Sequence, residues 1–140
     1  MANILSVRGV ERRFDTTLAL QATNLDVAEN DFITILGPSG CGKSTLLRIV
    51  AGLDTPTGGD VLLDGRRIAG PGADRGMVFQ SYTLFPWLTV LDNVCFGLAE
   101  RRLPRAQQLE IAHGFLAKVG LKGFDKHYPK QLSGGMQQRT

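Results

Sequence analysis

The chain has few of the residues that would support a disulfide scaffold or a membrane anchor. Only two of its 140 residues are cysteine, and one of them, Cys41, lies inside a glycine-rich loop. A disulfide framework is therefore not expected. No apolar run approaches the length of a membrane span, and the first residues do not resemble a secretory signal. The chain is therefore expected in the cytoplasm. The basic pairs are scattered, as on a solvated face, which predicts that the chain has no nucleic-acid surface.

One stretch, residues 37–44, matches the phosphate-binding loop pattern G-x-x-x-x-G-K-[S/T] at every fixed position. Residues 32–36 before it form a short apolar run, which predicts a buried strand. Residues 45–51 after it predict a helix, with Gly52 as the residue that ends it. A strand, a glycine-rich loop and a helix in this order predict a nucleotide site.

The residue types of the loop suit a nucleotide with its magnesium ion. Glycines let the backbone N–H groups approach phosphate oxygens, and the helix start adds unpaired N–H donors. Lys43 can reach the β- and γ-phosphates, and the Ser44 hydroxyl can bind Mg²⁺. The predicted nucleotide contacts in this stretch are Gly37, Pro38, Ser39, Gly40, Cys41, Gly42, Lys43, Ser44 and Thr45.

The loop alone does not define the reaction. The patterns D-x-x-G and N-K-x-D, which a Ras-like GTPase needs after the loop, do not occur. A small-molecule kinase remains open at this point.

A second motif, L-S-G-G-M-Q-Q-R at residues 132–139, resembles the L-S-G-G-Q signature of ABC-type ATPases. It departs at Met136, a variant that the resemblance associates with import-type members. A serine hydroxyl, glycine N–H groups and a helix start make a second anion site, although a serine N-cap before a helix has the same pattern. The resemblance implies nucleotide contacts at Leu132, Ser133, Gly134, Gly135 and Gln137.

Two further residues match motifs of the same family. Residues 76–80 read as a buried strand that ends in Gln80, and the resemblance implies that Gln80 contacts Mg²⁺ and the hydrolytic water. The family's A-loop aromatic, which stacks on adenine, corresponds to Phe14. The alternative for Gln80 is an ordinary surface glutamine. The alternative for Phe14 is an apolar residue in a solvated turn.

The resemblance implies an α/β fold: an incomplete P-loop ABC-ATPase domain with an antiparallel β-subdomain and a helical subdomain. Residues 1–88 are expected to hold the nucleotide-binding part with the Q-loop, and residues 89–140 the helical subdomain with the signature. Asp64 is expected in a hairpin turn and not as the Walker B aspartate. The Walker B aspartate, the catalytic glutamate and the switch histidine are expected beyond Thr140, so the chain is interpreted as an amino-terminal fragment.

The predicted function is that of the ATP-binding subunit of an ABC-type importer, most similar to the nitrate, sulfonate and taurine uptake branch. ATP and Mg²⁺ are the expected cofactors, and the solute is expected to be small and anionic. The expected partners are transmembrane permease subunits and a second ATPase copy with shared ATP sites, at the inner face of the plasma membrane. The alternatives are a soluble ABC ATPase acting on nucleic acid or ribosomes, and a catalytically incomplete remnant. Alone, the chain is expected to bind nucleotide without hydrolysing it.

The connector at residues 81–88, which is apolar and aromatic, has two interpretations. It is either core between two subdomains or part of a groove for a partner helix. The resemblance implies that a permease coupling helix docks near it.

Overall fold

A computed structural model describes residues 3–140. The chain divides into two compact units, one that ends at Met77 and one that comprises Val78–Thr140. Within the described residues, no helix combines the length and the apolar character that crossing a membrane would require.

The first unit is built on a four-stranded antiparallel sheet with the order β2-β1-β3-β4. Its strands are β1 (Asn3–Phe14), β2 (Thr17–Ala28), β3 (Gly58–Leu63) and β4 (Arg66–Arg67). One helix, α1 (Lys43–Val50), packs its buried residues Leu46 and Ile49 against the sheet residues that form the first hydrophobic core. The buried members of that core are Val7, Val10, Leu20, Leu46, Ile49 and Val61.

The turn between β3 and β4 consists of Asp64 and Gly65. Their φ angles are 49° and 72°, and two successive positive values are what a two-residue hairpin turn requires. The Asp64 N–H donates to the carbonyl oxygen of Ile4 at 2.8 Å. The prediction that Asp64 is a turn residue is confirmed.

Helix α1 ends as the sequence predicts. Gly52 has a φ of 75°, and its N–H donates to the carbonyl oxygen of Ile49 at 2.9 Å. The next N–H, that of Leu53, donates to the carbonyl oxygen of Arg48 at 2.8 Å. These two bonds satisfy carbonyl groups that a helix end otherwise leaves unpaired.

The strands predicted at residues 32–36 and 76–80 are wrong for this structure. Neither segment pairs with another strand among the described residues. Phe32 is 93% exposed and Leu36 is 86% exposed, whereas Ile35 packs against the first core. Their apolar composition indicates burial, but a strand forms only where a neighbouring strand accepts and donates its backbone hydrogen bonds.

The second unit is helical. It contains α2 (Val90–Glu100), α3 (Arg105–Lys118), a 3₁₀ turn (Pro129–Gln131) and α4 (Gly134–Arg139). Thr89 caps α2 by accepting a hydrogen bond from the Asp92 N–H at 3.2 Å. A second hydrophobic core holds this unit together, with Val90, Leu116, Leu121 and Leu132 as its buried members.

Candidate functional site

The glycine loop before α1 lies directly against strand β2. Gly42 has a φ of 97°, and a Cβ atom there would lie 2.6 Å from the carbonyl oxygen of Ala19 and 2.9 Å from Cδ1 of Leu20. Gly40, with a φ of 82°, has open space around it. The left-handed conformation favours glycine at both positions, and the close approach to β2 adds a second demand at Gly42.

The start of α1 is suited to an anion. Gly42 is the N-cap residue, and it supplies no side-chain hydrogen bond to the first turn. Backbone N–H groups at a helix start that lack a side-chain acceptor, together with the helix dipole, favour phosphate. The loop therefore fits the phosphates of a nucleotide.

Lys43 folds back over the loop. Its ammonium donates to the carbonyl oxygens of Gly37 and Pro38 at 2.8 and 2.7 Å and lies 3.4 Å from Sγ of Cys41. Neutral carbonyl groups are weaker acceptors for an ammonium than charged phosphate oxygens. A bound phosphate can therefore take over Lys43 from the loop carbonyls.

The residues around the loop fit magnesium only together with a nucleotide. Ser44 is exposed and Thr45 is half-buried, at the first turn of α1, while Pro38, Ser39 and Cys41 are exposed in the loop. In the part of the chain that the structure describes, no group of three or more His, Cys, Asp and Glu residues could hold a metal. Mg²⁺ commonly uses few protein ligands and several phosphate or water oxygens, which suits one serine hydroxyl beside a triphosphate.

Phe14 lies at the end of β1, beside the turn into β2. Its ring is partly exposed, and the guanidinium of Arg12 lies 4.5 Å from the ring centroid. Arg12 also pairs with Asp54 at 2.9 Å, and both of these side chains are largely buried. The ion pair with Asp54 thus fixes the Arg12 guanidinium on one side of the Phe14 ring. The sequence does not predict this arrangement, because residues 12 and 54 lie far apart in the sequence.

Gln80 is exposed and belongs to the second unit. It lies in irregular backbone and not at a strand end, so the predicted local context of Gln80 was wrong. The exposed side chain nonetheless leaves its amide accessible.

The signature forms the entry to α4. Ser133 is the N-cap residue, and its hydroxyl oxygen accepts from the Met136 N–H at 3.3 Å. Leu132 is buried in the second core, and the Gln137 side chain donates to its carbonyl oxygen at 3.2 Å. The hydroxyl that caps the helix retains its own proton, so capping and donation to an anion are compatible.

Two contacts at the signature were not expected from the sequence. The guanidinium of Arg139 donates to the carbonyl oxygens of Val119 at 2.8 Å and of Gly135 at 3.1 Å, which ties α4 to the end of α3. The ring of Tyr82 lies beside Gly134. A motif pattern reports spacing along the chain, so it gives no signal for either contact.

The connector is fastened to α2 by one side chain. The Asn93 amide nitrogen donates to the carbonyl oxygens of Phe85, Leu88 and Thr89 at 3.2, 3.1 and 2.9 Å. Its amide oxygen accepts from the Phe85 N–H at 2.8 Å. These bonds satisfy the backbone of a segment that has no regular secondary structure.

An aromatic cluster, defined here as Phe85, Trp87 and Phe96, lies on the same part of the unit. The ring centroids of Phe85 and Trp87 are 5.5 Å apart, and those of Phe85 and Phe96 are 4.6 Å apart. Trp87 is 70% exposed. The connector is therefore neither fully core nor fully surface.

Charged groups at the start of α2 reinforce the helix. Arg105 donates to Asp92 at 2.8 Å, and the Thr89 hydroxyl donates to the other oxygen of Asp92 at 2.8 Å. The hydrogen bond from Arg105, followed by the one from Thr89, lowers the pKa of Asp92 below its ordinary value. The carboxylate form is therefore favoured in the folded chain.

Curated relatives share most of the chain. An uncharacterized ABC transporter ATP-binding protein of Methanocaldococcus jannaschii is 64% identical over 122 residues, which are 87% of this chain and 46% of the relative. The nitrate import ATP-binding protein of Synechocystis sp. is 51% identical over 125 residues, 89% of this chain and 47% of the relative. The taurine import ATP-binding protein of Escherichia coli K12 is 51% identical over 122 residues, 87% of this chain and 48% of the relative. The chain thus spans about half the length of these relatives.

The fold is also that of a solved cassette. The dimeric structure of an ATP-binding cassette in a post-hydrolysis state, bound to ADP and Pi, has a TM-score of 0.85 and 34% identity. The match covers 96% of this chain and 66% of that one, so the chain has the fold of an incomplete ABC ATPase domain. The model of the family described as ABC transporter matches residues 20–140. Because that match extends over most of the sequence, the chain belongs to the ABC transporter family.

Proposed function

We propose that this chain is the nucleotide-binding part of an ATPase subunit that drives a membrane importer. The observation that carries the proposal is the loop before α1, in which Gly42 lies tightly against β2 and Lys43 sits over the loop. This geometry presents backbone N–H groups and one movable cation to a triphosphate. ATP hydrolysis is a property of the family to which the chain belongs.

Each site residue has a proposed role in that chemistry. Lys43 binds the β- and γ-phosphates, and Ser44 holds Mg²⁺, which would shield the phosphate charge. Phe14 stacks on adenine through its exposed ring, and Gln80 orients water and contacts the metal. The remaining residues of the loop, Gly37, Pro38, Ser39, Gly40, Cys41, Gly42 and Thr45, surround the phosphates.

The signature is proposed to complete the ATP site of a second copy. Ser133, Gly134 and Gly135 bring a hydroxyl and backbone N–H groups to the start of α4, while Leu132 and Gln137 fix the entry to that helix. In a head-to-tail dimer, these groups would contact the γ-phosphate that Lys43 of the other copy holds. The solved relative described as dimeric supports this arrangement.

The aromatic cluster is proposed to bind the permease partner. Trp87 presents a large aromatic ring that is mostly exposed, and exposed aromatic rings are typical anchors of protein interfaces. Binding to a permease would place the chain at the inner face of the membrane. The proposed solute is small and anionic, because two relatives are named for the import of nitrate and of taurine, which carries a sulfonate group. Residues 1–88 and 89–140 are the proposed nucleotide-binding and helical parts.

The chain by itself is proposed to bind ATP without turning it over. No Asp-Glu pair follows an apolar run anywhere in the sequence, and the family uses that glutamate to polarise water. Binding and hydrolysis are therefore separable, and steady turnover by the purified chain that disappears in Lys43→Ala would contradict this part.

Mixed dimers of a full-length cassette that carries this chain test the shared sites. If one copy carries Lys43→Ala and the other Ser133→Arg, both lesions fall in the same site and one site stays intact. If a single copy carries both substitutions beside an unchanged copy, each site receives one lesion and neither is intact. Both arrangements contain the same two substitutions, so they are matched controls for one another.

We expect ATP-driven dimerisation, measured by analytical ultracentrifugation, to be stronger in the first arrangement. Equal dimerisation in the two arrangements would overturn the shared-site proposal. An ATP affinity that is unchanged by Lys43→Ala would overturn the proposed phosphate site itself.

A further inference from the structure

The side chain of Tyr82 occupies the space beside the signature backbone. A Cβ atom on Gly134 would clash with the Tyr82 hydroxyl oxygen, and it would lie 3.3 Å from Cζ and 3.9 Å from Cε2. The same atom on Gly135 would meet nothing within 4 Å. Of the two signature glycines, only Gly134 is therefore in contact with the connector.

Backbone conformation does not require glycine at position 134. Gly134 is the first residue of α4, and its φ is not positive, so an alanine is compatible with the backbone. Alanine also has a higher helix propensity than glycine. What opposes a larger residue at this position is the Tyr82 side chain.

Both partners of this contact are anchored elsewhere. Leu132 lies in the second core, and Arg139 ties the far end of α4 to Val119. On the other side, Asn93 fastens the connector from Phe85 onward to α2. Tyr82 thus contacts Gly134 from a segment that is itself fixed three residues further along.

We propose that Tyr82 is a positioning residue, which holds the start of α4 so that its backbone N–H groups and Ser133 face the ATP of a second copy. This inference rests on the proposed function. Tyr82 acts through Gly134 and does not itself contact the nucleotide. Phe85 and Trp87 of the aromatic cluster lie on the same connector as Tyr82, so a partner that covers Trp87 would act on the signature through Tyr82.

A double-mutant cycle on the 140-residue chain tests the contact. Unfolding would be measured for Tyr82→Ala, Gly134→Ala and the pair, with Gly135→Ala as the matched control for glycine removal. We expect the effects of Tyr82→Ala and Gly134→Ala to be coupled by about tenfold in the unfolding equilibrium, as for residues in contact. Gly135→Ala should show no coupling to Tyr82→Ala.

A second measurement tests positioning in a full-length cassette. Tyr82→Ala should weaken ATP-driven dimerisation by about tenfold while leaving the ATP affinity of the separate copies unchanged, and Tyr82→Phe should restore most of it because the ring remains. Phe115→Ala is the control, since Phe115 is 54% exposed and Tyr82 is 53% exposed. If Tyr82 had only a structural role, Tyr82→Ala would lower stability but would not weaken dimerisation selectively while leaving ATP affinity unchanged.

Three results would overturn the inference: additive effects in the cycle, equal coupling to Gly135→Ala, or dimerisation of Tyr82→Ala that equals that of Phe115→Ala. Failure of the proposed function is distinguishable from these. It would appear as ATP binding that does not need Lys43, while the cycle would still report the contact between Tyr82 and Gly134.

Discussion

The ammonium of Lys43 donates a hydrogen bond to the carbonyl oxygen of Gly37, 2.8 Å away. The carbonyl groups of the loop thus hold the cation over the loop. A charged phosphate oxygen is a stronger acceptor for an ammonium than a neutral carbonyl, so a cation in this position suits a triphosphate.

The first prediction concerns that cation. Lys43→Ala should lower the ATP affinity of the chain by about ten- to a hundredfold, because a hydrogen bond to a charged group is lost. Isothermal titration calorimetry of the 140-residue chain measures this. Lys118→Ala removes a lysine that lies over the Phe115 ring and should leave the affinity unchanged. Equal affinities in the two variants would contradict the proposed site.

The second prediction compares two glycines of the loop. Gly40→Ala should cost about 1–2 kcal/mol for the left-handed backbone alone. Gly42→Ala carries that cost together with a clash against Ala19 and Leu20, and should cost about 3 kcal/mol or more. Urea unfolding of both variants separates conformation from close approach. Similar losses would show that contact with β2 is unimportant.

The third prediction concerns Asn93. Its amide bonds to the connector backbone on both its donor and its acceptor side, so Asn93→Ala should destabilise the second unit by about 2–3 kcal/mol. Gln107→Ala removes an exposed amide from α3 and should change stability little. Helical circular dichroism followed during urea unfolding measures both. A loss of stability below a few tenths of a kcal/mol in Asn93→Ala would contradict the proposal that Asn93 holds the connector.

The fourth prediction is a pH dependence. The pKa of Asp92 in the folded chain lies below its ordinary value of 3.8, mainly because Arg105 donates to it. Its contribution is therefore complete above that ordinary value and is lost as the pH falls through the lower folded pKa. Asp92→Asn should flatten the acid side of the stability curve measured by urea unfolding. Glu110→Gln, at an exposed acid of α3, should leave the curve unchanged.

The fifth prediction uses the two thiols. Cys41 is exposed, while Cys95 is buried and burial raises the pKa of its thiol. Brief treatment with iodoacetamide should therefore add one label to the folded chain, at Cys41, and two in denaturant. Mass spectrometry locates the labels. ATP should slow the reaction at Cys41 because the loop surrounds the phosphates, and labelling at Cys95 first would contradict the burial.

The features that the sequence predicts correctly are those that nearby residues dictate. Gly52 marks a helix end through its own hydrogen bond, and Asp64-Gly65 marks a turn through its positive φ angles. The position of the glycine-rich loop directly before α1 is recognisable for the same reason. These features depend on a few consecutive residues.

The features that the sequence does not predict depend on residues that are far apart. The apolar pattern at residues 32–36 indicates burial, but the pairing of a strand depends on a neighbour that its own residues do not identify. The pairing of Arg12 with Asp54 and the contact of Tyr82 with Gly134 likewise join distant positions. The roles of these side chains become apparent only when the fold has brought them together.

Each unit has its own hydrophobic core, one around Ile49 and one around Leu116. Cooperativity arises where buried side chains share their neighbours, so separate cores allow separate melting events. A single melting temperature for this chain would therefore average two transitions. A substitution in the core of one unit would shift the melting temperature of that unit and leave the melting temperature of the other unit unchanged.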